Sequence, residues 1–161
     1  MPAIPAGKSK GVAVRNVLVN ATPEQVWAVL ADGWSYDQWV VGTTDIRSVD
    51  PGFPAEGTSL AYTAGWSPLR MKDRTTVRIA EPLRRLELEA NTRLVGTARI
   101  SVEVLAWGEK SVVVIDEHPL SGLGWFLHNP LSEMVLSLRN RLMAHSLAQL
   151  VESRARSSDQ G

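Results

Sequence analysis

Two carboxylates lie in strand-like segments at positions where they could act as acid and base. The first is Asp73, in the run Asp73 to Ile79. Because strand side chains alternate between faces, Asp73 and Thr75 share the face marked by the apolar Val77 and Ile79. A carboxylate there has to be paired, hydrogen-bonded or functional, since burying it alone is very costly. The alternative is that Asp73 lies at its strand's end, half solvated or bonded to a loop.

The second carboxylate is Glu117, in a segment with apolar side chains on both faces. Alternation alone therefore does not decide whether Glu117 or its neighbours Asp116 and His118 point inward. If Glu117 and Asp73 share one cavity, they are candidates for acid and base, provided that their surroundings separate their pKa values. The alternative is a single carboxylate paired with an arginine such as Arg139.

Histidine and cysteine limit the other kinds of chemistry. The chain has no cysteine, which removes disulfides, thiolate metal sites and cysteine nucleophiles. No two of His118, His128 and His145 have the His-x-x-x-His spacing of a helical metal site, so we predict no metal. His118 is a candidate base at a cavity mouth. No nucleophile elbow, phosphate-binding glycine loop or dinucleotide fingerprint is present, and we predict no cofactor.

The aromatic residues favour tryptophan, with six tryptophans against two phenylalanines and two tyrosines. Tryptophan and tyrosine offer a large apolar area with one polar group, which suits a pocket for a ring system or an acyl chain. Trp39, Tyr62 and Trp66 are therefore candidate ligand contacts. The alternative for each of them is ordinary packing in the core.

Composition and charge indicate a soluble globular protein. The 161 residues have the length of one domain, with 44% apolar and 21% charged residues. Positive and negative side chains balance at 17 each, so no net field attracts nucleic acid. The basic residues Arg70, Lys72, Arg74 and Arg78 are interpreted as a solvated sheet face, and we predict no nucleic-acid partner.

Neither end of the chain looks like a targeting segment. Residues 1–10 contain Pro2, Pro5 and Gly7 and no apolar run typical of a signal peptide. We predict disordered tails at 1–10 and 155–161 around a single domain at 11–154. No stretch approaches the ~20 apolar residues that span a bilayer, so we expect a cytoplasmic protein without integral membrane association.

The order of predicted elements gives the fold class. A β-branched strand is followed by the capping box Thr22 to Gln25 and two short helices. From about Thr43 the apolar period changes to two, which indicates antiparallel strands with one covered face. The long final helix, about Leu131 to Arg154, is the expected cover, with Leu138 in its apolar stripe. We therefore predict an α+β helix-grip fold, a curved antiparallel sheet of six to seven strands around this helix.

The chain resembles the START-like, Bet v 1-like superfamily, specifically its bacterial polyketide cyclase/dehydrase-type branch. The resemblance covers about Val12 to Leu150 and, besides the element order, is carried by Thr22-Pro23-Glu24-Gln25-Val26-Trp27, residues 34–42 (WSYDQWVVG), Asp73-Arg74-Thr75-Thr76-Val77, Asp116-Glu117 and Arg139-Asn140. It implies a mostly apolar cavity between sheet and helix, and it favours Glu117 facing inward. The superfamily includes carriers, receptors and enzymes, so the resemblance does not choose a function.

Three functions remain in view. The leading hypothesis is binding of a small hydrophobic molecule, such as a lipid or polyketide, by a monomer or homodimer. Its predicted ligand contacts are Trp39, Tyr62, Trp66, Asp73, Thr75, Glu117, Leu138 and Arg139. The second hypothesis is a cyclase- or dehydratase-type enzyme in which Asp73, Glu117 or His118 moves protons. The third is a regulatory module that responds to cavity occupancy.

Overall fold

The computed structural model of the protein describes residues 13–65, 67–92, 96–120 and 130–161. Seven strands and three α-helices make an α+β fold, in the order β1 (Ala13–Val19), α1 (Pro23–Leu30), a 3-10 turn (Gly33–Ser35), α2 (Tyr36–Trp39), β2 (Thr43–Val49), β3 (Ser59–Ala64), β4 (Met71–Glu81), β5 (Arg85–Thr92), β6 (Gly96–Trp107), β7 (Lys110–Pro119) and α3 (Pro130–Ser158). Two short helices after the first strand and a long final helix confirm the predicted architecture.

All strands belong to one antiparallel sheet with the order β1-β7-β6-β5-β4-β3-β2. Strands β2 to β7 pair with their neighbours in sequence, and β1 is added beside β7 at the far edge. The segment with α1 and α2 therefore connects the two edge strands. Along this route α1 contacts β6 and β7, and α2 contacts β2. We call the face of the sheet that these helices and α3 cover the inner face.

The start of α1 follows from local sequence. The Thr22 hydroxyl accepts from the Gln25 amide, and the Gln25 side chain accepts in return from the Thr22 amide at 2.9 Å. Pro23 occupies the first turn, where its missing N–H costs nothing. This reciprocal capping box places Val26, Val29 and Leu30 into the core.

The inner face of the sheet and the C-terminal half of α3 form the hydrophobic core. The sheet contributes alternating side chains, among them Leu60, Val77, Leu86, Leu88, Ile100, Val102, Val104, Val113 and Ile115. The helix contributes Met143, Ala144, Leu147, Ala148 and Val151. Apolar burial of this extent is the main source of stability in a domain of this size.

The N-terminal half of α3 has the opposite polarity. Here the side chains that approach the sheet are polar: Asn140 is fully buried, Arg139 reaches β7, and Arg15 of β1 donates to the Ser137 hydroxyl. The large apolar side chains instead face outward, with relative exposures of 59% for Leu131, 62% for Met134, 54% for Val135, 56% for Leu138 and 47% for Leu142. We call these five residues the outer stripe.

The prediction that Leu138 belongs to the apolar stripe that covers the sheet is therefore wrong. The apolar residues of the helix do not form one stripe. Leu142 and Leu147 are five residues apart, which turns the direction of the side chain by about 140° at 100° per residue. The five side chains of the outer stripe lie before this break and face solvent, whereas Leu147 and Val151 after it face the core.

The helix also continues past the predicted domain end at Arg154. It ends at Ser158, and the Ser157 and Ser158 hydroxyls donate to backbone carbonyl oxygens four residues earlier in its last turn. Arg154 forms an ion pair of 3.0 Å with Asp32 at the end of α1. This contact ties the C-terminal part of α3 to the short helices, so residues 155–158 are helix and not tail.

The outer face of the sheet carries a ladder of ion pairs. Arg78 pairs with Glu89 at 3.0 Å, Glu87 accepts from Arg85 at 2.6 Å, and Arg99 forms an ion pair with Glu87 at 3.0 Å. The face predicted to be basic therefore also carries carboxylates, and Arg78 is paired with one of them, Glu89. Because these arginines lie over it, Glu87 is only 4% exposed on a face that is otherwise polar. Over the residues described, no helix has the length and apolar character needed to cross a membrane.

Candidate functional site

A polar cluster begins on the inner face of β3 and β4. Tyr62 and Asp73 lie directly opposite each other in the antiparallel pair, and Thr75 is two residues further along β4 on the same face. All three are buried, at 8%, 5% and 6% exposure. The alternation of β4 predicted Asp73 and Thr75 inward, and the structure places them there. Asp73 is buried, so the alternative of a half-solvated carboxylate at the end of the strand is wrong.

The second part of the cluster joins β7 to α3. Glu117 lies on the inner face with 6% exposure, and both of its carboxylate oxygens accept from Nη1 of Arg139, at 2.7 and 2.6 Å. Val113 and Ile115, on the same face of β7, are fully buried. The ambiguity of this strand is thereby resolved with Glu117 inward, and the carboxylate is paired with the arginine named in the sequence analysis.

The charged groups of both parts influence the Tyr62 phenol. Burial raises the pKa of the Tyr62 phenol above its ordinary value of 10.0, and the negative charges of Asp73 and Glu117 raise it further. A hydrogen bond with the Thr75 side chain and the positive charge of Arg139 act in the other direction on this pKa. Four other residues predicted as ligand contacts, Asp73, Thr75, Glu117 and Arg139, therefore act on the Tyr62 phenol, which stays protonated at neutral pH.

Two buried polar atoms of predicted site residues have unused hydrogen-bonding capacity. Oδ1 of Asp73 has no hydrogen-bond partner within the described part of the chain, and the same holds for Nε1 of Trp39. Buried polar groups are satisfied in the great majority of cases, so each exception calls for an explanation. A carboxylate oxygen is an acceptor and an indole N–H is a donor, and a bound molecule of matching polarity would satisfy them.

Arg47 supports the site and was not identified from the sequence. It lies between two residues of β2 that pair with adjacent residues of β3, so the register shifts by one residue at this point. Its guanidinium donates to the backbone carbonyl oxygens of Tyr62 and Asp73, both at 3.2 Å from Nη2. Arg47 thus holds together the strand pair that carries the phenol and the carboxylate. A bulge of this kind has no signature in the residue types of β2.

Other predicted site residues lie elsewhere. His118 is next to Glu117 on β7 and therefore points to the outer face, where its Nε2 is 2.9 Å from Oδ2 of Asp116. The hypothesis of His118 as a base at the mouth of the cavity is not supported by this position. Leu138 also does not contribute to the cluster, because it belongs to the outer stripe.

Trp39 is buried in an aromatic group. Its ring centroid is 4.8 Å from that of Tyr36, which in turn contacts Phe53 edge-on at 5.7 Å. Ordinary core packing, the alternative stated for Trp39, accounts for this environment. Trp66 and His128 lie outside the described residues, and His145 is exposed on α3. In the residues that can be described, no group of three or more potential metal ligands occurs.

Comparison with known proteins identifies the fold. No protein-family model matches the chain, and no curated protein matches it. Solved structures do: the protein Ara h 8.0201 has a TM-score of 0.66 at 11% identity over 88% of this chain and 97% of that one. The protein NE0264 from Nitrosomonas europaea has a TM-score of 0.72 at 12% identity over 92% and 99%.

A third similar structure is that of a protein from a biosynthetic pathway. It is the di-domain ARO/CYC protein BexL from the BE-7585A biosynthetic pathway, with a TM-score of 0.65 at 15% identity over 88% of this chain and 46% of that one. At identities this low the similarity extends to the fold alone. The chain shares with these proteins the helix-grip fold that its sequence predicted.

Proposed function

We propose that this Bet v 1-like helix-grip protein binds a small, mostly apolar molecule between the sheet and α3, with the polar end of the molecule at the cluster of Tyr62, Asp73, Thr75, Glu117 and Arg139. The observation that carries the proposal is the convergence of these buried polar groups on an inner face that is otherwise apolar. A few convergent polar groups within apolar walls are typical of small-molecule sites.

The rigidity of the cluster supports a binding role. Glu117 and Arg139 link the sheet to the helix through a charge-assisted contact, and Arg47 fixes the backbone of the strand pair that carries Tyr62 and Asp73. Polar groups held in place before a ligand arrives lose little freedom when they bind it. Solved structures of the same fold include a protein described as ARO/CYC from a biosynthetic pathway, which agrees with a metabolite-sized ligand.

A second candidate, proton transfer during cyclisation or dehydration, is favoured by the pairing of a buried carboxylate with a protonated phenol. Both carboxylate oxygens of Glu117 already accept from Arg139, so Glu117 is engaged in a structural ion pair. Asp73 would act as the base and Tyr62 as the donor, with the two residues opposite each other on β3 and β4. This assignment replaces the Asp73 and Glu117 pair suggested by the sequence.

Native mass spectrometry of the purified full chain tests the binding proposal directly. We expect a co-purified small molecule, or saturable binding of apolar probes that raises the melting temperature, because a ligand that binds only the folded state stabilises it. Tyr62→Phe keeps the apolar volume and should weaken binding, whereas Tyr36→Phe, in the aromatic core, serves as the matched control. The absence of saturable binding over a broad panel would overturn the proposal.

Asp73→Asn separates the two candidates. A binding protein should retain binding of its ligand within a modest factor, whereas a proton-transferring enzyme should lose turnover by roughly 100- to 10,000-fold. The readout for the second candidate is conversion of a poly-β-keto substrate followed by mass. Conversion that is unchanged in Asp73→Asn would exclude the carboxylate as the base.

A further inference from the structure

The charge balance of the cluster points to the chemistry of the polar end of the ligand, an inference that rests on the proposed function. Two carboxylates, Asp73 and Glu117, face one guanidinium, so one negative charge is in excess. The guanidinium of Arg139 is already engaged by both oxygens of Glu117. Asp73 is therefore the charged group of the cluster without a counterion in it.

Asp73 also has the free acceptor. Asp73 is buried, with an exposure of only 5%, and its Oδ1 has no hydrogen-bond partner among the residues described. Arg47 does not supply the missing donor, because its hydrogen bonds go to backbone carbonyl oxygens and not to the carboxylate of Asp73. A buried carboxylate oxygen is stabilised by a donor, and most strongly by a charged one.

We propose that the site selects ligands whose polar end is a hydrogen-bond donor, an ammonium or a hydroxyl group, which binds Asp73, and that it disfavours carboxylates and phosphates. An anionic end would place a third negative charge beside Asp73 and Glu117 with no unengaged cation in the cluster. The fatty acids and acyl phosphates that an apolar pocket would otherwise accept are thus excluded by charge.

The test compares three probes with the same apolar body: octylamine, octanol and octanoate, each titrated into the full chain at neutral pH by calorimetry and thermal shift. We expect octylamine and octanol to bind at least about 10-fold more tightly than octanoate, which corresponds to one lost charged hydrogen bond. Asp73→Asn should reduce the preference for amine over carboxylate by a similar factor. Asp45→Asn, at an exposed aspartate of β2, is the control and should leave it unchanged.

The outcomes are distinguishable. If all three probes bind equally, or octanoate binds best, the inference about the polar end fails while the proposed binding function stands. If none binds and no other apolar probe does, the proposed function itself fails. The comparison of the three probes on the unmodified chain decides the matter even if Asp73→Asn does not fold.

The outer stripe of α3 carries a second, independent inference. Its five apolar side chains expose an area on the order of a few hundred Å², about the largest patch that monomeric proteins usually leave in water. Leu131, Val135, Leu138 and Leu142 follow each other at intervals of four, three and four residues. This is the spacing of a seam between two packed helices.

The seam is symmetric about its own midpoint. In an antiparallel pair of α3 helices, Leu131 would face Leu142 of the second copy, and Val135 would face Leu138 of the second copy. Every apolar side chain then meets an apolar partner, and the helix dipoles are oppositely directed. A lipid surface fits less well, because interfacial helices are rich in lysine and arginine, whereas Leu131 to Gln149 contains only Arg139 and Arg141, and Arg139 is engaged by Glu117.

We infer that the outer stripe is a contact between two copies of this chain. The area of the stripe is below the ~800 Å² per partner of a standard interface, so the expected dimer is weak and depends on concentration. Sedimentation velocity of the full chain from low to high micromolar concentration should show reversible dimerisation. Leu138→Asp should abolish it, and Gln149→Asp, the same new charge on the polar continuation of this face, should not.

Cross-linking tests the orientation, since the chain has no cysteine of its own. A mixture of Leu131→Cys and Leu142→Cys chains should form a mixed dimer with a short bismaleimide, and each variant alone should form far less. A chain that stays monomeric throughout, a dimer that survives Leu138→Asp, or a monomer that instead sediments with phosphatidylcholine vesicles through Leu138 would each overturn the inference.

Discussion

At the scale of single residues, the ion pair of Glu117 and Arg139 decides how the inner carboxylates behave. Both oxygens of Glu117 accept from one nitrogen of Arg139, so this ion pair links β7 to α3. Asp73 remains as the carboxylate with capacity for a further contact. Two acidic residues on the same inner face thus have different roles because only the carboxylate of Glu117 is bound by an arginine.

Removing the cation should destabilise the protein strongly. Arg139→Ala leaves the Glu117 carboxylate buried without compensation, and we expect a loss of about 2–4 kcal/mol, at the lower part of the range for buried pairs because Arg139 is 30% exposed. Urea unfolding of the variant measures this loss.

The double variant Glu117→Gln/Arg139→Gln is the control for this prediction. It removes both charges and should recover at least half of the loss, because no isolated buried charge remains. A double variant as unstable as Arg139→Ala would show that the charge of Glu117 is not the cause.

The two tyrosines make a prediction about alkaline pH. Burial raises the pKa of Tyr62, and burial together with the nearby charge of Asp32 raises the pKa of Tyr36 far above its ordinary value. In the unfolded chain both phenols ionise near pH 10 and release protons, whereas in the folded chain they do not. Stability is therefore unaffected by these groups below about pH 10 and decreases as the pH rises above it.

Absorbance near 295 nm measures this directly, because the chain has only two tyrosines. We expect tyrosinate to appear together with the loss of secondary structure in circular dichroism, and not before it. Tyr62→Phe should shift the alkaline unfolding midpoint upward. Ionisation of either tyrosine in the folded protein at pH 10 would contradict the prediction.

At the scale of elements, α3 consists of two halves that face the protein with opposite polarity. Its C-terminal half buries apolar side chains such as Met143 and Leu147, and its N-terminal half turns Arg139 and Asn140 toward the sheet. The C-terminal half anchors the helix to the core, and the N-terminal half supplies polar groups to the site.

Two leucines of this helix should differ sharply on truncation. Leu147→Ala removes a fully buried side chain and should cost about 2–5 kcal/mol through lost burial and a residual cavity. Leu138→Ala, at 56% exposure, should cost less than about 0.5 kcal/mol at protein concentrations where the chain is monomeric. Equal losses in chemical denaturation would show that the outer stripe is packed inside the protein.

The elements also show where sequence reasoning succeeded and where it stopped. Alternation along β4 placed Asp73 and Thr75 correctly, because they share the face of the buried Val77. Ile79 does not share that face, because the register shifts between Val77 and Ile79, and Ile79 pairs with Glu87 of the outer face. The same reasoning failed for β7, whose two apolar faces carry no such contrast, and only the packing of α3 decides Glu117. On α3, Leu138 was wrongly predicted to face the sheet, because two separate apolar stripes were treated as one across the break between Leu142 and Leu147.

Among the long-range contacts, the sequence offered only the pairing of Glu117 with Arg139, as one of two alternatives. The pairing of Tyr62 with Asp73 and the carbonyl contacts of Arg47 depend on the register of three strands and on a bulge in β2. Strand register is fixed by turns and packing that a single sequence does not display. The fold was therefore predictable from periodicity, whereas the arrangement of the site was predictable only as a set of inward-facing residues.

At the scale of the whole molecule, one hydrophobic core connects all elements. The core includes side chains from the short helices, from both halves of the sheet and from the C-terminal half of α3. We expect a single cooperative unfolding transition in urea, with coincident curves for tryptophan fluorescence and far-ultraviolet circular dichroism. Two separated transitions would show that α3 or an edge strand unfolds independently.

The pairing of β1 with β7 has a consequence for how the protein is made. Ala13 pairs with Glu117 and Val19 with Ser111, so most of the chain lies between the two partners. On the ribosome, β1 emerges first and has to wait for nearly the last strand before its backbone hydrogen bonds can form. Until then its apolar side chains and its unpaired edge are available to other nascent chains, so the interval between synthesis of β1 and β7 is when chaperone protection matters most.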